Sequence, residues 1–265
     1  MSLPASAEEL RQRQAFYVQC MDVLTAARIP VLVGGAYAFN QYTGIFRDTK
    51  DFDLFIRREH VDAALGLLAR EGLNTEITYT HWLAKAWGPY DWFIDLIYGS
   101  GNGVCPVDES WFEHAPQAEV LGRKIPLVPP EEMIWQKAFI LERDRCDVAD
   151  VAHVIRGCGE SLDWPRLVRR FEDRWPVLLS QLILFSFIFP NDRKKVPMEL
   201  LHMLVERFRA EAHLPGDDQL CGGTLLSKSQ FESDLDHGGY RDARIEQSGG
   251  GMTPEEARAW TVLQK

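Results

Sequence analysis

The segment Asp51-Phe-Asp-Leu-Phe-Ile places two carboxylates two residues apart in an otherwise apolar run. Such a run predicts a buried β-strand, in which residues i and i+2 point to the same face. Asp51 and Asp53 then lie side by side, where their like charges repel unless a cation joins them. Mg²⁺ is the natural partner, especially where substrate phosphates complete its coordination. The alternative is a solvated edge strand, but the apolar neighbours favour the metal site.

A third carboxylate lies in a second β-prone run. Asp95 is the lone charge in Trp92-Phe-Ile-Asp-Leu-Ile-Tyr, where an unpaired buried acid is destabilising or takes up a proton. If this strand pairs beside that of Asp51 and Asp53, three acids converge on one spot. Three acids around two divalent ions suit phosphoryl or nucleotidyl transfer, because the metals clamp the triphosphate and neutralise the leaving pyrophosphate.

A glycine pair precedes these acids. Gly34 and Gly35 follow the short apolar run 29–33 and come just before a predicted helix over 36–42. Glycines at such a turn let backbone N–H groups approach an anion at the positive end of the helix dipole. The alternative is a simple strand-to-helix turn. Beside the paired aspartates, we expect a phosphate site.

The order of patterns predicts an α+β fold with a mixed β-sheet, flanking helices and a following helical bundle. We predict strands over 29–33, 51–56, 75–78, 82–86 and 91–98, and helices over 7–29, 36–42, 60–71, 131–143, 147–156, 164–174, 177–189, 198–212 and 254–262. Thr253 and Glu256 form a capping-box pattern at the last helix. We divide the chain into an α/β domain (1–128), a helical domain (129–213) and a partly ordered tail (214–265).

Composition excludes several classes of protein. The chain has 265 residues and a formal net charge of −10, which argues against strong general nucleic-acid binding. Clusters at 166–170 and 193–195 are the candidates for a local basic patch. The five cysteines form no CxxC pair, which favours a reducing compartment. The sequence shows no apolar leader and no apolar stretch long enough for a bilayer. We therefore expect a cytoplasmic protein without a membrane partner. No esterase, zincin or Walker motif occurs.

The chain resembles the nucleotidyltransferase superfamily with a DNA polymerase beta-like palm, and within it the branch of abortive-infection-type nucleotidyltransferase toxins and uncharacterised relatives. The residues that carry the resemblance are Gly34, Gly35, Arg47, Thr49, Asp51, Asp53 and Asp95. It implies that the three aspartates bind two Mg²⁺ ions, with Mn²⁺ as the alternative ion, and that Asp95 helps to activate an acceptor hydroxyl. The glycines, Arg47 and Thr49 are implied to bind the nucleotide.

The helical half carries a second part of the resemblance. Lys137 lies on an apolar helix face, and Asp147 and Asp150 follow at a spacing that places both on one face of the next helix. The alternatives are a lysine whose ammonium reaches solvent and a surface cluster of salt bridges. By resemblance to the toxin-like branch, Lys137 contacts the nucleotide and Asp150 assists the acceptor. The likeness covers residues 29–156.

We therefore expect a metal-dependent nucleotidyltransferase that transfers NMP from an NTP, such as ATP, to an acceptor hydroxyl. The acceptor is open: a small molecule such as an aminoglycoside, a protein side chain or an RNA end. The alternative is a catalytically inactive nucleotide-binding or protein-interaction module of a two-component, toxin–antitoxin-like system. Fifteen residues separate Gly35 from Asp51, a long spacing that favours this alternative. A structural protein with an incidental D-x-D is the third interpretation.

Overall fold

The computed structural model describes residues 7–47, 49–217, 219–246 and 251–262. The chain forms two compact units. Unit 1 comprises Met1–Gln41, Ile45–Gly99 and Pro106–Pro129, and unit 2 comprises Tyr42–Gly44, Ser100–Cys105 and Pro130–Lys265. The division into 1–128, 129–213 and 214–265 stays a prediction. Among the described residues, no helix is both long and apolar enough to cross a membrane.

Unit 1 is built on a five-stranded mixed sheet. Its strands are β1 (Leu32–Val33), β2 (Asp51–Phe55), β3 (Asn74–Tyr79), β4 (Leu83–Trp87) and β5 (Phe93–Ile97), in the order β1-β2-β5-β4-β3. Within this sheet β2 and β5 pair in parallel, whereas the other neighbours are antiparallel. The predicted α+β class with a mixed sheet is therefore confirmed.

Helices and one small ribbon complete unit 1. They are α1 (Ala7–Ala26), α2 (Gly35–Thr43), α3 (Val61–Arg70), α4 (Glu109–Glu113) and the antiparallel strands β6 (Gln117–Val120) and β7 (Arg123–Pro126). The ribbon was not predicted, because its polar strands lack a clear apolar alternation. A connection through α3 and the β3–β4 hairpin brings β5 back parallel to β2, as a parallel pair requires.

The two faces of β2 have different surroundings. Phe52 and Leu54 are fully buried, and Phe52 stacks on Tyr17 of α1 with ring centroids 4.7 Å apart. The Tyr17 hydroxyl also donates to the carbonyl of Lys50, 2.8 Å away, and so anchors the start of the strand. Because strand side chains alternate, Asp51 and Asp53 point to the opposite face.

Unit 2 is mainly helical, as predicted. Its elements are α5 (Pro130–Ala138), α6 (Val148–Cys158), α7 (Trp164–Phe171), α8 (Trp175–Ile188), α9 (Met198–Glu211), β8 (Leu220–Cys221), α10 (Glu232–Asp236), β9 (Arg241–Asp242) and α11 (Pro254–Val262). The capping box is present: the Thr253 N–H donates to Glu256 and the Glu256 N–H donates to the Thr253 hydroxyl.

One predicted helix is shorter than expected. The pattern over 131–143 suggests a single helix, but α5 ends at Ala138. Beyond it, Leu141 forms an isolated β-bridge with Cys146, and its N–H donates to the carbonyl of Leu226 at 3.0 Å. Beyond Ala138 the chain therefore forms a local bridge and a hydrogen bond to a distant segment in place of further helical turns.

The predicted basic patch at 166–170 is wrong in part. The Arg166 side chain is buried and donates to Glu131 and to Glu132 of α5, and Arg170 also donates to Glu132. Buried arginines and glutamates are tolerated only when paired. These two arginines therefore join α7 to α5, and only Arg169 of the cluster is exposed.

Candidate active site

A row of charged residues crosses the sheet of unit 1. In the parallel β2–β5 pair, Asp53 lies opposite Asp95, and in the antiparallel β4–β5 pair, Lys85 lies opposite Asp95. Directly paired residues of neighbouring strands project from the same face. Asp53, Asp95 and Lys85 therefore lie next to one another on adjacent strands, and Asp95 faces Asp53 as the sequence predicts.

Asp51 completes the carboxylate group. It precedes Asp53 by two residues on β2 and pairs in register with Phe93, so it projects from the same face. Asp51 is exposed at the end of the strand, whereas Asp53 and Asp95 are half-buried. The three predicted aspartates thus share one sheet face, although they differ in access to solvent.

Lys85 is bound closely to Asp95. Its Nζ donates to Asp95 Oδ1 at 2.5 Å, and the two side chains are only 17% and 14% exposed. The ammonium also lies 4.0 Å from the centroid of the Phe93 ring. Sequence reasoning missed this residue; the available signal is that Lys85 is the one charge in the apolar strand predicted over 82–86.

The charges around Asp95 act in opposite directions. Burial is the largest effect and raises the pKa of Asp95, and the negative charge of Asp51 raises it further. The hydrogen bond and the positive charge of Lys85 lower it, but the pKa remains above the usual range for aspartate. Burial therefore disfavours the ionised form of Asp95 more than the negative charge of Asp51 does, and the ion pair with Lys85 only partly offsets it.

The glycine turn packs directly against β2. A Cβ on Gly35 would lie 1.6 Å from Asp53 Oδ2, and Gly35 has a left-handed backbone with φ of +51°. The Gly34 N–H donates to the Asp53 carbonyl at 2.9 Å, and a Cβ there would collide with the Phe55 ring. Only glycine fits at either position, so the Asp53 carboxylate lies at the N-terminus of α2.

The other two predicted nucleotide-binding residues lie between α2 and β2. The Arg47 guanidinium lies over the Phe39 ring of α2, 4.4 Å from its centroid. The Thr49 hydroxyl accepts a hydrogen bond from the N–H of Asp51 at 3.1 Å. Thr49 thus stabilises the first residue of the D-x-D strand, and Arg47 lies against the helix that begins at Gly35.

Lys137 and Asp150 come together in unit 2. Lys137 Nζ donates to Asp150 and to Asp147, each at 2.7 Å, and Arg145 donates to Asp147 at 3.0 Å. Burial raises the pKa of Asp147, but the hydrogen bonds and charges of Arg145 and Lys137 outweigh burial and hold it below the usual value. Lys137, Asp147 and Asp150 form a nearly buried ionic cluster that joins α5 to α6, and the exposed Arg145 covers it from the solvent side.

The donor chemistry of Asp51 and Asp53 fits a hard divalent cation, which prefers carboxylate oxygens. In the described part of the chain, however, no group of three or more His, Cys, Asp or Glu side chains is arranged to hold a metal ion. The Asp95 carboxylate is engaged by Lys85. Metal binding by Asp51, Asp53 and Asp95 therefore stays a prediction.

Comparisons with known proteins give distant matches. No family model matches the chain, and no curated protein sequence matches it. Solved structures that it resembles include the lincosamide antibiotic adenylyltransferase LnuA bound to lincomycin, with 14% identity over 54% of this chain and 94% of that chain and a TM-score of 0.39. The antibiotic-resistance factor ANT(2'')-Ia matches with 15% identity over 77% of this chain and 96% of that chain, at a TM-score of 0.40.

A third solved structure is an antigenic nucleotidyltransferase-like protein from Paracoccidioides brasiliensis. It has 18% identity, covers 68% of this chain and 94% of that chain, and has a TM-score of 0.38. Because every TM-score lies below 0.5, the likeness is too distant to assign substrates or residue roles to this chain. Membership of the toxin-like branch stays a prediction.

Proposed function

We propose that this protein is a metal-dependent nucleotidyltransferase that moves NMP from an NTP to an acceptor hydroxyl and releases pyrophosphate. The observation that carries this proposal is the convergence of Asp51, Asp53 and Asp95 on one sheet face beside the Gly34–Gly35 turn. Like charges on one face repel one another, and Lys85 compensates only that of Asp95, so Asp51 and Asp53 favour a further cation.

Each part of the site has its own task. Asp51 and Asp53 would hold Mg²⁺, with Mn²⁺ as the alternative ion, and the bound ion would neutralise charge on the triphosphate and on the leaving pyrophosphate. The N-terminus of α2, which begins at Gly35, offers backbone N–H groups and the positive end of a helix dipole to the phosphates. The absence of side chains at Gly34 and Gly35 lets this turn pack against Phe55 and the Asp53 carboxylate, so the N-terminus of α2 lies beside the proposed metal ligands.

Asp95 is assigned to the acceptor side of the reaction, where it would accept the proton of the attacking hydroxyl. It is suited to this task because its raised pKa increases its basicity relative to an ordinary aspartate. Lys85 would hold this carboxylate in position. The acceptor remains a small molecule, a protein side chain or an RNA end, and the roles of Lys137 and Asp150 toward substrate remain predictions.

The experiment that tests the proposal uses each NTP labelled at the α-phosphate, together with Mg²⁺ and a cell extract. We expect the Asp53→Asn variant to reduce labelling of the acceptor and release of pyrophosphate by about 100-fold or more, because one carboxylate charge at the metal is lost. Asp22→Asn is the control, since Asp22 pairs with Arg123 elsewhere in unit 1. Full activity of Asp53→Asn would rule out the metal role.

A second candidate is the catalytically inactive nucleotide-binding or protein-interaction module. The observation that favours it is the Lys85–Asp95 ion pair, which already occupies one of the three carboxylates. Calorimetry with ATP, GTP, CTP and UTP, with and without Mg²⁺, separates the two candidates when combined with a pyrophosphate assay. Nucleotide binding without pyrophosphate release in any extract would support the inactive module.

A further inference from the structure

We propose that the Lys85 ammonium is a permanent cation on the sheet face that carries Asp51, Asp53 and Asp95, which we call the carboxylate face. It takes the place of a second divalent ion at Asp95. The site would then bind one metal ion, held by Asp51 and Asp53. This inference rests on the function proposed above and deepens it, since it assigns a positioning residue and a metal count to the same site.

The register of the sheet gives Lys85 a choice of partners. Lys85 lies between Asp95 on β5 and Glu76 on β3, because both are paired with it across neighbouring strands. Its Nζ is 2.5 Å from Asp95, while the Glu76 carboxylate accepts a hydrogen bond from Thr78 at 3.1 Å. The lysine is thus directed toward the carboxylate face and away from the exposed edge strand.

The surroundings of Lys85 hold its ammonium in place. The Phe93 ring lies 4.0 Å from Nζ and the Trp87 ring 5.8 Å, so aromatic side chains from two strands flank the charge. A cation at such a distance from an aromatic face is stabilised by the ring. Because Lys85 and Asp95 are both largely buried, their attraction is screened less than that of a surface pair. A divalent ion at Asp95 would have to displace this ammonium or lie beside it against like-charge repulsion.

The charge at Asp95 supports the same count. The Lys85 ammonium already neutralises the Asp95 carboxylate, to which it donates at 2.5 Å. A site without this lysine would instead leave Asp95 half-buried with uncompensated charge, which favours recruitment of a further cation.

The test counts metal ions in the complex of the full chain with a non-hydrolysable NTP analogue and Mn²⁺. We expect the isolated complex of the natural protein to hold one Mn²⁺ per bound nucleotide. In Lys85→Met, which removes the ammonium but keeps an apolar stem beside Phe93, we expect two. Lys124→Met, an exposed lysine on β7, is the matched control and should leave the count at one.

Lys85→Arg keeps the positive charge and should retain one ion, which guards against a Met variant that fails to fold. Two ions in the natural complex, or one ion in a folded Lys85→Met complex, would overturn the inference while leaving the proposed function intact. If no nucleotide–Mn²⁺ complex forms with the natural protein, the proposed function fails instead. Metal content is measured directly, so the result does not depend on catalytic activity.

A different observation, in unit 2, carries a second inference. The helix α8 contains no charged residue, yet it exposes four large apolar side chains. These are Ile183, Leu184, Phe187 and Ile188, which we call the α8 stripe. Phe187 is 81% exposed and Ile183 is 55% exposed. Contiguous exposed apolar side chains of this kind mark interaction sites, among them interfaces between proteins.

The charges at the two ends of α8 indicate what covers the stripe. Exposed acidic residues Glu172 and Asp173 precede the helix, and exposed basic residues Arg193 and Lys194 follow it. An antiparallel two-fold arrangement of two α8 helices would bring the acidic end of one chain near the basic end of the other. We infer that a second copy of this chain docks antiparallel on the α8 stripe, since a two-fold interface must be complementary to itself.

Sedimentation of the full chain tests this inference. We expect a dimer that Phe187→Glu converts to a monomer, because two buried charges would then lie near the two-fold axis. Val262→Glu, at an exposed valine on α11, is the control and should remain dimeric. Asp173→Lys and Lys194→Asp should each weaken the dimer, and the double variant should restore it. A monomeric natural chain at about 100 μM, or a dimer unaffected by Phe187→Glu, would overturn the inference.

Discussion

At the residue scale, the most constrained contact of the candidate site is that between Gly35 and Asp53. Gly35 combines a left-handed backbone with a space that the Asp53 carboxylate fills. The left-handed backbone does not by itself imply the close contact with Asp53, because glycine is common at turns that have no close neighbour. Together they place the carboxylate at the N-terminus of α2, where a metal-bound phosphate would also lie.

We therefore predict that Gly35→Ala destabilises the fold and abolishes nucleotide binding. The left-handed backbone alone should cost about 1–2 kcal/mol, and the new methyl group must also displace the Asp53 carboxylate. Chemical denaturation measures the stability, and calorimetry with NTP and Mn²⁺ measures the binding.

Gly72 offers a matched control for this change. It also has a left-handed backbone, with φ of +86°, but nothing lies within 4 Å of the position of its Cβ. Gly72→Ala should therefore lose only the backbone contribution and bind nucleotide normally. Equal effects of the two substitutions on stability and on binding would show that the contact with Asp53 is unimportant.

At the scale of elements, ionic clusters join α5 to its neighbours in unit 2. Lys137 links α5 to Asp147 and Asp150 at the start of α6, and Arg166 links α5 to α7. Breaking a buried pair leaves an uncompensated charge, which is strongly destabilising. The clusters therefore specify how these helices pack, whatever role Lys137 has toward substrate.

The cluster at Asp147 predicts a dependence of stability on pH. The folded state lowers the pKa of Asp147, so its carboxylate stabilises the fold at pH values above the ordinary aspartate pKa. This contribution is lost as the pH falls through the lowered, folded-state pKa. Asp147→Asn should therefore be less stable than the natural protein at pH 7, and the difference should shrink as the pH falls below the ordinary aspartate pKa of about 4. Urea unfolding over a series of pH values on both sides of that pKa measures the difference, and a difference that does not change with pH would contradict this assignment.

At the scale of the whole molecule, charge and apolar surface are unevenly distributed. The formal net charge is −10, while the α8 stripe carries no charge. Two of the arginines that suggest a basic patch, Arg166 and Arg170, are used inside unit 2 to pair with glutamates. The absence of strong general nucleic-acid binding stays a prediction. Of the two clusters that could form a local basic patch, 166–170 keeps only Arg169 exposed.

Local spacing was enough to predict much of this protein. The alternation around Asp51 and Asp53, the glycine turn and the capping box at Thr253 depend on residues within a few positions of one another. Such patterns act through the backbone of a single element and need no knowledge of distant neighbours. The prediction of a mixed sheet followed by a helical part came from the same kind of local pattern, the spacing of apolar residues typical of strands and of helices.

Only the tertiary structure decided which side chains these elements bring together. That β4 lies beside β5, and so delivers Lys85 to Asp95, depends on strand pairing across the sheet. The end of α5 at Ala138 and the burial of Arg166 likewise depend on partners far away in the chain. The sequence can mark such a residue, as the lone charge in the apolar run 82–86 marks Lys85, but it does not name the partner, because a lysine or arginine has the same local pattern whether it is solvated or paired in the interior.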